Sequence, residues 1–512
     1  MRRAWLLGVL FFSTATFYLG VSILLKEPGY MDACYYFSVA EAMAEGKGLV
    51  EPFLWNYLDS PASIPHPAFT YWMPLPSFLA WPFLKLPGAG YLAARLPFVI
   101  LASLLPILSY RVAEVLQEKV SEKDKSIPIL AALLTLFSGF YVVYWPSTDN
   151  FAPFALAGAL CLFLWGRIIE ESSIPMAFLA GAAAGFAHLA RADGFLLLLP
   201  LAFFLITPQK RRLALVSTIA YFLVMGPWLI RNVMVLGLPL PVSGAKTVFL
   251  THYDDLFSYE KELSWRSYLA WGLGAIIVSK LRAGWLNLQT IIAVFLMVFL
   301  TPPFLTGLRR LYRSPFLKPF ILYAVTLFLV MTFVFTYPGP RGSFFHSGGA
   351  LLPFTAAVSA LGLSTINRAW ARKRGVNSED LWRLNFVGAV FLAFIVSSFA
   401  LYRATTSGQW DSGGEVYRSV EAWLRQSSSL EATVMVVDPP CFYYHTKRTS
   451  IAIPNGDEEI VLRVARRYSA SFLLLEPDHP RPLSRLYSEP YSYPGLEPVA
   501  FFGRAILFRI KP

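Results

Sequence analysis

The chain has 512 residues, of which 56% are hydrophobic and 15% charged, well below the roughly 25% charged residues of soluble domains. Its long apolar runs each approach the roughly 20 residues an α-helix needs to cross a bilayer, which excludes a soluble multidomain protein and makes this a polytopic membrane chain. The net charge of +12 does not point to nucleic acid. Basic residues gather at Arg2 and Arg3, at Lys119, Lys123 and Lys125, at Lys210, Arg211 and Arg212, at Arg309, Arg310 and Arg313, and at Arg368, Arg372, Lys373 and Arg374. These groups fall in alternate inter-helix segments, the positive-inside pattern. The three cysteines, Cys34, Cys161 and Cys441, form no CxxC pair and no His/Cys spacing for structural zinc.

In chain order the apolar runs predict about eleven spans, at roughly 5–25, 89–110, 127–145, 151–168, 175–190, 194–208, 213–230, 287–307, 318–336, 348–366 and 385–403. The first lacks a small-residue cleavage site and reads as a retained anchor. With basic loops inside, the N-terminus is expected in the cytoplasm and the C-terminus outside, across the cell (plasma) membrane. The first outer loop, about 26–88, opens with a predicted helix from Asp32 to Glu45, ended by Gly46 and Gly48. The piece that follows, "SIPHPAFTYWMPLPSFLAWPFLKLPG", carries too many prolines for one straight span. Its aromatic residues suit two short helices lying along the interface. A second long outer loop covers about 232–286, where "SYLAWGLGAIIVSKLRAGWLN" reads equally as an interfacial helix or a span. Beyond about 405, "ATVMVVDPP", "RTSIAIP", "ASFLLLEP" and "RAILFRI" are short β-like runs, with a helical "DEEIVLRVARRY" between the second and third. The expected fold is mainly α. A transmembrane helical bundle (1–405) carries interfacial helices in its first outer loop, and a small extracytoplasmic α/β domain (406–512) follows.

Two acids mark the outer boundary. Asp32 follows the first apolar run at a helix start, where it serves either as an N-cap or as a carboxylate in low dielectric, with a raised pKa suited to a general base. Asp149 in "PSTDN" sits where the third run ends; turn and capping chemistry is the plainer reading, and two acids on one boundary favour the functional one. Cations share that side: Arg191 in "HLARADGFL" with His188 and Asp193, Arg341 and His346 in "YPGPRGSFFHSGG", Arg231 in "GPWLIRN", and Arg95. Singly each could snorkel; as a set they suit a lipid phosphate or diphosphate.

The order of these features resembles the GT-C membrane glycosyltransferases, in the branch of protein O-mannosyltransferases and aminoarabinose transferases. It covers roughly residues 1–365. Where that branch has an Asp-Glu pair followed by aromatics, this chain has Asp32-Ala33, then Tyr35 and Tyr36. Where it has Lys-Pro-Pro-Leu-x-Tyr-Trp, this chain has His66-Pro67-Ala68-Phe69-Thr70-Tyr71-Trp72, and "GPWLIRN" before "GLPLP" is also family-like. The second acid is missing and His66 replaces the Lys. The resemblance implies an inverting, hexosyl-type transfer from a polyprenyl-phosphate sugar donor to a hydroxyl of a protein, lipid or glycan acceptor, on the non-cytoplasmic face. Asp32 is then the expected base and Asp149 the second acid. His66, Arg191 and Arg341 are expected at the donor phosphate, and Tyr35, Tyr36, Tyr71 and Trp72 at the sugar or acceptor. No cofactor is expected, and a divalent metal, though compatible, is not indicated. The rival readings are a flippase for a lipid-linked solute and a non-catalytic lipid-binding member. In "VVDPPCFYYHTKR", Asp438, Cys441, His445 and Lys447 read as a satisfied turn rather than a site.

Overall fold

The computed structural model describes residues 2–406, 410–427 and 431–511. Among the described residues, seven helices are long and apolar enough to cross a membrane: Arg3–Leu24, Tyr91–Lys119, Phe151–Glu170, Pro208–Leu236, Pro315–Val334, Gly339–Arg374 and Ser378–Thr406. They make the chain an integral membrane protein. The expected spans at 127–145, 175–190 and 194–208 are shorter apolar helices, Ser126–Leu136, Ile174–Ala190 and Ala192–Ile206. The expected span at 287–307 is broken. Helix Leu273–Thr290 loosens into a wide turn at Ile291–Phe295, and positive φ at Met297 and Val298 reorients the chain before helix Thr301–Leu311.

That last helix crosses Gly339–Arg374 at a contact that only glycine permits. A Cβ on Gly362 would lie 1.8 Å from the carbonyl oxygen of Pro303. Close backbone approach through small residues is how helices associate where lipid removes the hydrophobic drive.

The first connecting segment differs from expectation in an informative way. The helix is present, at Met31–Ala44. The Pro/aromatic piece contains one short helix, Leu75–Leu84, rather than two. The rest is pinned by strand pairing. Strand β1 (Val50–Glu51) runs beside β2 (Phe53–Leu54) in sequence, and β3 (His66–Pro67) pairs antiparallel with β1.

Strand β2 belongs to a larger sheet whose other members come from the C-terminal region: β4 (Thr433–Val436), β5 (Ser450–Ala452), β6 (Ala470–Leu475), β7 (Leu496–Phe502) and β8 (Ala505–Ile510). The order is β2-β5-β4-β6-β8-β7, with β2, β5, β4 and β6 mutually parallel. Both faces are covered, as parallel strands require. Val434, Val436, Phe472 and Leu474 pack with Tyr417, Val420 and Phe442 on one side; Met435, Leu473 and Leu475 pack with Val461 and Val464 on the other.

This sheet is fastened to the helix that carries Asp32. Cys34 of that helix is disulfide-bonded to Cys441, which lies 407 residues away. Lys447 pairs with Glu41, the Tyr444 hydroxyl donates to Glu27 Oε2 at 2.6 Å, and Trp410 Nε1 donates to the Glu27 carbonyl at 2.9 Å. Cys34→Ser or Cys441→Ser should each lower the thermal midpoint, with a loss of about 2–5 kcal/mol. The double variant should lose no more than either single one, because both remove the same bond. Unfolding followed under non-reducing conditions checks this.

Candidate active site

A cavity of about 1030 Å³ opens where the helical bundle meets the sheet. Asp32 enters it from the first turn of helix Met31–Ala44. The N-cap is Tyr30 rather than Asp32, so the acid is free to face the cavity while the positive end of the helix dipole favours its charge. Asp149 lies in the "PSTDN" turn just before helix Phe151–Glu170 and is fully buried. Its Oδ1 accepts from the Asn150 backbone N–H at 2.5 Å and its Oδ2 accepts from the Tyr30 hydroxyl at 2.9 Å. The turn is tied to the helix bearing Asp32 by Thr148 Oγ1, which donates to the Ala33 carbonyl at 3.0 Å.

Between the acids stands His346. Its Nε2 is 3.9 Å from Asp32 Oδ2 and its Nδ1 is 3.8 Å from Asp149 Oδ2, and the ring stacks on Phe151 at 3.8 Å. Nδ1 also lies 2.7 Å from Asn150 Oδ1. Arg191 adjoins this group through Asn150 Oδ1 at 3.3 Å, while its Nε donates to Asp193 Oδ1 at 3.1 Å and Ser347 Oγ at 2.9 Å. Arg341 is an exposed member of the cavity lining, with its guanidinium over the Tyr253 ring at 4.6 Å.

Burial raises both carboxyl groups above the ordinary aspartate range. For Asp32 the Arg191 charge opposes the rise, and for Asp149 the charge of Asp32 adds to it. Asp32, with 27% of its side chain exposed against none for Asp149, is the one that ionises more readily. Two nearby carboxyls that cannot both ionise cheaply divide into a base and a proton-holding partner.

One ligating atom each from Asp32, Asp149 and His346 lie within 4.8 Å of one another. Two carboxylate oxygens and an imidazole nitrogen suit a divalent cation of borderline softness and leave coordination positions open. No such set is legible locally, because its members are far apart in the chain.

Of the aromatic residues expected here, Tyr36, Tyr71 and Trp72 line the cavity. Trp55, which sequence reasoning missed, joins them by stacking on Trp72 at 4.2 Å. Tyr35 and His66 lie outside the lining. Both belong to a buried network around Glu51, which accepts from the Tyr35 hydroxyl and from the Phe69 N–H at 2.9 Å and lies 3.4 Å from His66 Nε2. His66 therefore braces the β1–β3 pair and, through it, the aromatic wall. Arg231 likewise braces, donating to the Ala68 carbonyl at 3.1 Å. Asn150 and Tyr30 complete the group without having been selected from sequence. His346 was expected among the cations of the outer boundary, and the structure sets it between the two acids instead.

Residues 65–235 match the sequence model of a family described as dolichyl-phosphate-mannose-protein mannosyltransferase. No curated protein matches the chain by sequence. Among solved structures, ArnT from Cupriavidus metallidurans bound to undecaprenyl phosphate is 13% identical with a TM-score of 0.58, over 99% of this chain and 98% of that one. The archaeal oligosaccharyltransferase AglB from Archaeoglobus fulgidus, in complex with an inhibitory peptide and a dolichol-phosphate, is 14% identical with a TM-score of 0.58, over 92% of this chain and 69% of that one. An Archaeoglobus fulgidus oligosaccharyltransferase in complex with Zn and sulfate is 14% identical with a TM-score of 0.58, over 94% of this chain and 69% of that one. The fold is that of the GT-C membrane glycosyltransferases. The likeness runs past the roughly 365 residues in which the sequence resemblance lay and takes in the C-terminal sheet.

Because Asp149 binds its proton more tightly when folded than when unfolded, its ionisation costs stability. That cost is absent below the unfolded aspartate pKa of about 3.9 and grows as pH rises through the raised folded value. Asp149→Asn mimics the protonated form. It should raise the thermal midpoint by about 2 °C or more near neutrality, and the gain should vanish near pH 4. Thermal scans of wild type and variant across that range check the sign.

Proposed function

We propose that the protein transfers a hexose-type sugar from a polyprenyl-phosphate donor to an acceptor hydroxyl, with inversion at the anomeric carbon and Asp32 as general base. The observation that carries this reading is the convergence of Asp32 and His346, which line the cavity, with the buried Asp149 against His346 and Arg191 adjoining. The similarity of residues 65–235 to the mannosyltransferase family and the polyprenyl phosphates named with the structural relatives support it.

Asp32 takes the acceptor hydroxyl proton as the acceptor oxygen bonds to the anomeric carbon, and the bond from that carbon to the phosphate oxygen breaks. The leaving lipid phosphate gains negative charge and needs positive groups more than a proton. Arg341, exposed to the cavity, and Arg191, behind Asn150, supply them. Asp149, held by Tyr30 and Asn150, keeps the proton that lets Asp32 ionise beside it. A divalent cation on Asp32, Asp149 and His346, if bound, would take the place of the Asp149 proton and supply positive charge for the phosphate. Tyr36, Tyr71 and Trp72 give the sugar and acceptor aromatic faces. The second acid that the sequence lacks beside Asp32 has a counterpart in Asp149. The gathering of basic residues in alternate loops supports a cavity on the non-cytoplasmic face of the cell membrane.

With purified protein in lipid nanodiscs and dolichyl-phosphate mannose, Asp32→Asn should lower turnover by roughly 10²–10⁴-fold while the fold persists. Unchanged turnover would remove Asp32 from the role of base. Arg341→Ala should raise the donor KM about tenfold, the size of one charge-assisted contact. Turnover should need Asp32 ionised, so the rate should climb with pH through a limb lying above the ordinary aspartate range. A limb near pH 4 would contradict the raised carboxyl.

A further inference from the structure

The cavity is lined by two unlike sets of residues. The bundle supplies Arg191 and Arg341. The sheet supplies Val437, Ile453, Asn455, Asp478 and His479, the residues that follow β4, β5 and β6. In sequence these strands run β4, β5, β6; in space the order is β5-β4-β6. The connections therefore leave β4 and β6 in opposite directions. Helix Pro439–Thr446 packs on one face of the sheet and helix Glu458–Tyr468 on the other. Such a reversal opens a crevice at the carboxyl ends of the strands, which is where open α/β sheets bind ligands. Here that crevice opens into the cavity that holds Asp32.

The crevice carries three carboxyl groups. Asp438 follows β4, and Glu476 and Asp478 follow β6; of the three, Asp478 lines the cavity, at an exposed position, and supplies the negative charge there. Burial lifts the Asp438 carboxyl to about 7, and the charge of Asp32 contributes to the rise, so the strand ends and the acid of the bundle lie within electrostatic reach. Burial likewise lifts Glu476 to about 8, with Asp478 adding to it. Arg481, the cation in this part of the lining, is exposed to solvent. The disulfide from Cys34 to Cys441 joins the helix of Asp32 to the helix that starts after Asp438. The crevice therefore keeps a fixed position over the acid rather than swinging away as a lid.

We infer that the switch-point crevice of the C-terminal sheet is the acceptor subsite, and that it selects a neutral or amine-bearing, hydroxyl-rich acceptor against an anionic one. This rests on the transferase reading. The bundle set, with its guanidinium groups, receives the donor phosphate; the strand ends, with Asn455 and Asp478 as accessible acceptors of hydrogen bonds, receive the incoming hydroxyl compound.

The test uses the full chain in nanodiscs with dolichyl-phosphate mannose and three acceptors: methyl α-mannoside, methyl glucosaminide and methyl glucuronide. Wild type should use the glucuronide at least about tenfold less efficiently than the other two, the value of one hydrogen bond turned to repulsion. Asp478→Lys, at an exposed position, should raise the KM of the neutral and amine acceptors about tenfold, narrow the discrimination against the glucuronide and leave the donor KM unchanged. Asn455→Ala should raise the neutral-acceptor KM without narrowing that discrimination. Equal use of the glucuronide, changes confined to the donor KM, or donor cleavage without transfer to the neutral or amine acceptor would each overturn the inference while leaving the transferase reading intact. Absence of donor cleavage under every condition would overturn both.

Discussion

The site depends on two carboxyl groups held side by side where solvent is scarce. Asp32 and Asp149 are brought to opposite nitrogens of one imidazole, at 3.9 and 3.8 Å, in a place where burial alone raises both carboxyl groups. In water the two would ionise independently; in this setting the charge on one makes the other hold its proton. That asymmetry is built by the backbone. Asp149 is enclosed by a turn whose own N–H and the Tyr30 hydroxyl meet its oxygens, while Asp32 stands in the first turn of a helix and faces the open volume. The more exposed of two neighbouring acids is the one better placed to trade a proton with whatever occupies the cavity.

Such an arrangement stores unfavourable electrostatics and must be held by structure that does not share its chemistry. The brace is found around it. The Thr148–Ala33 hydrogen bond ties the two acid-bearing segments together, and Arg95 reaches from its helix to the Pro146 carbonyl at 2.7 Å and to the Ser22 carbonyl at 2.9 Å. Arg95 thereby joins the end of the first helix to the turn that carries Asp149, using its charge on carbonyl groups. The Glu51, Tyr35 and His66 network does the same for the aromatic wall. These residues are chemically conspicuous and functionally indirect, which is why a reading by residue type places His66 at a phosphate while the coordinates place it in a strand pair.

What could be read from sequence followed physical range. Asp32 and Asp149 were legible because a charged residue at the edge of an apolar run violates local composition, and the sidedness of lysine and arginine put them on one boundary. Strands β4, β5, β6 and β8 and the helix at 458–468 were legible from period and turn residues. Tyr30 and Asn150 were not, since nothing local distinguishes them from interface residues; His346 was legible as one of the outer cations, and only the fold brings position 346 to positions 32 and 149. The disulfide spans 407 residues and two scarce cysteines carry no pairing signal. Strand β2 is two residues long, too short to show a pattern. The broken span at 287–307 misled because an apolar run reports hydrophobicity and not whether its backbone stays helical.

The placement of β2 is the feature that joins these threads. A strand from the segment after the first helix lies parallel to β5 and completes the edge of a sheet otherwise formed some 400 residues later. Its neighbours in sequence, β1 and Trp55, belong to the Glu51 network and to the aromatic lining respectively. A displacement of the sheet would therefore disturb the aromatic wall through the backbone as well as Asp32 through the disulfide. Two independent fastenings, one covalent and one hydrogen-bonded, thus fix the sheet against the same short segment. A region attached in that way acts as part of the cavity's wall, and access to the cavity runs by the openings of the bundle and the solvent side of the crevice rather than by its withdrawal.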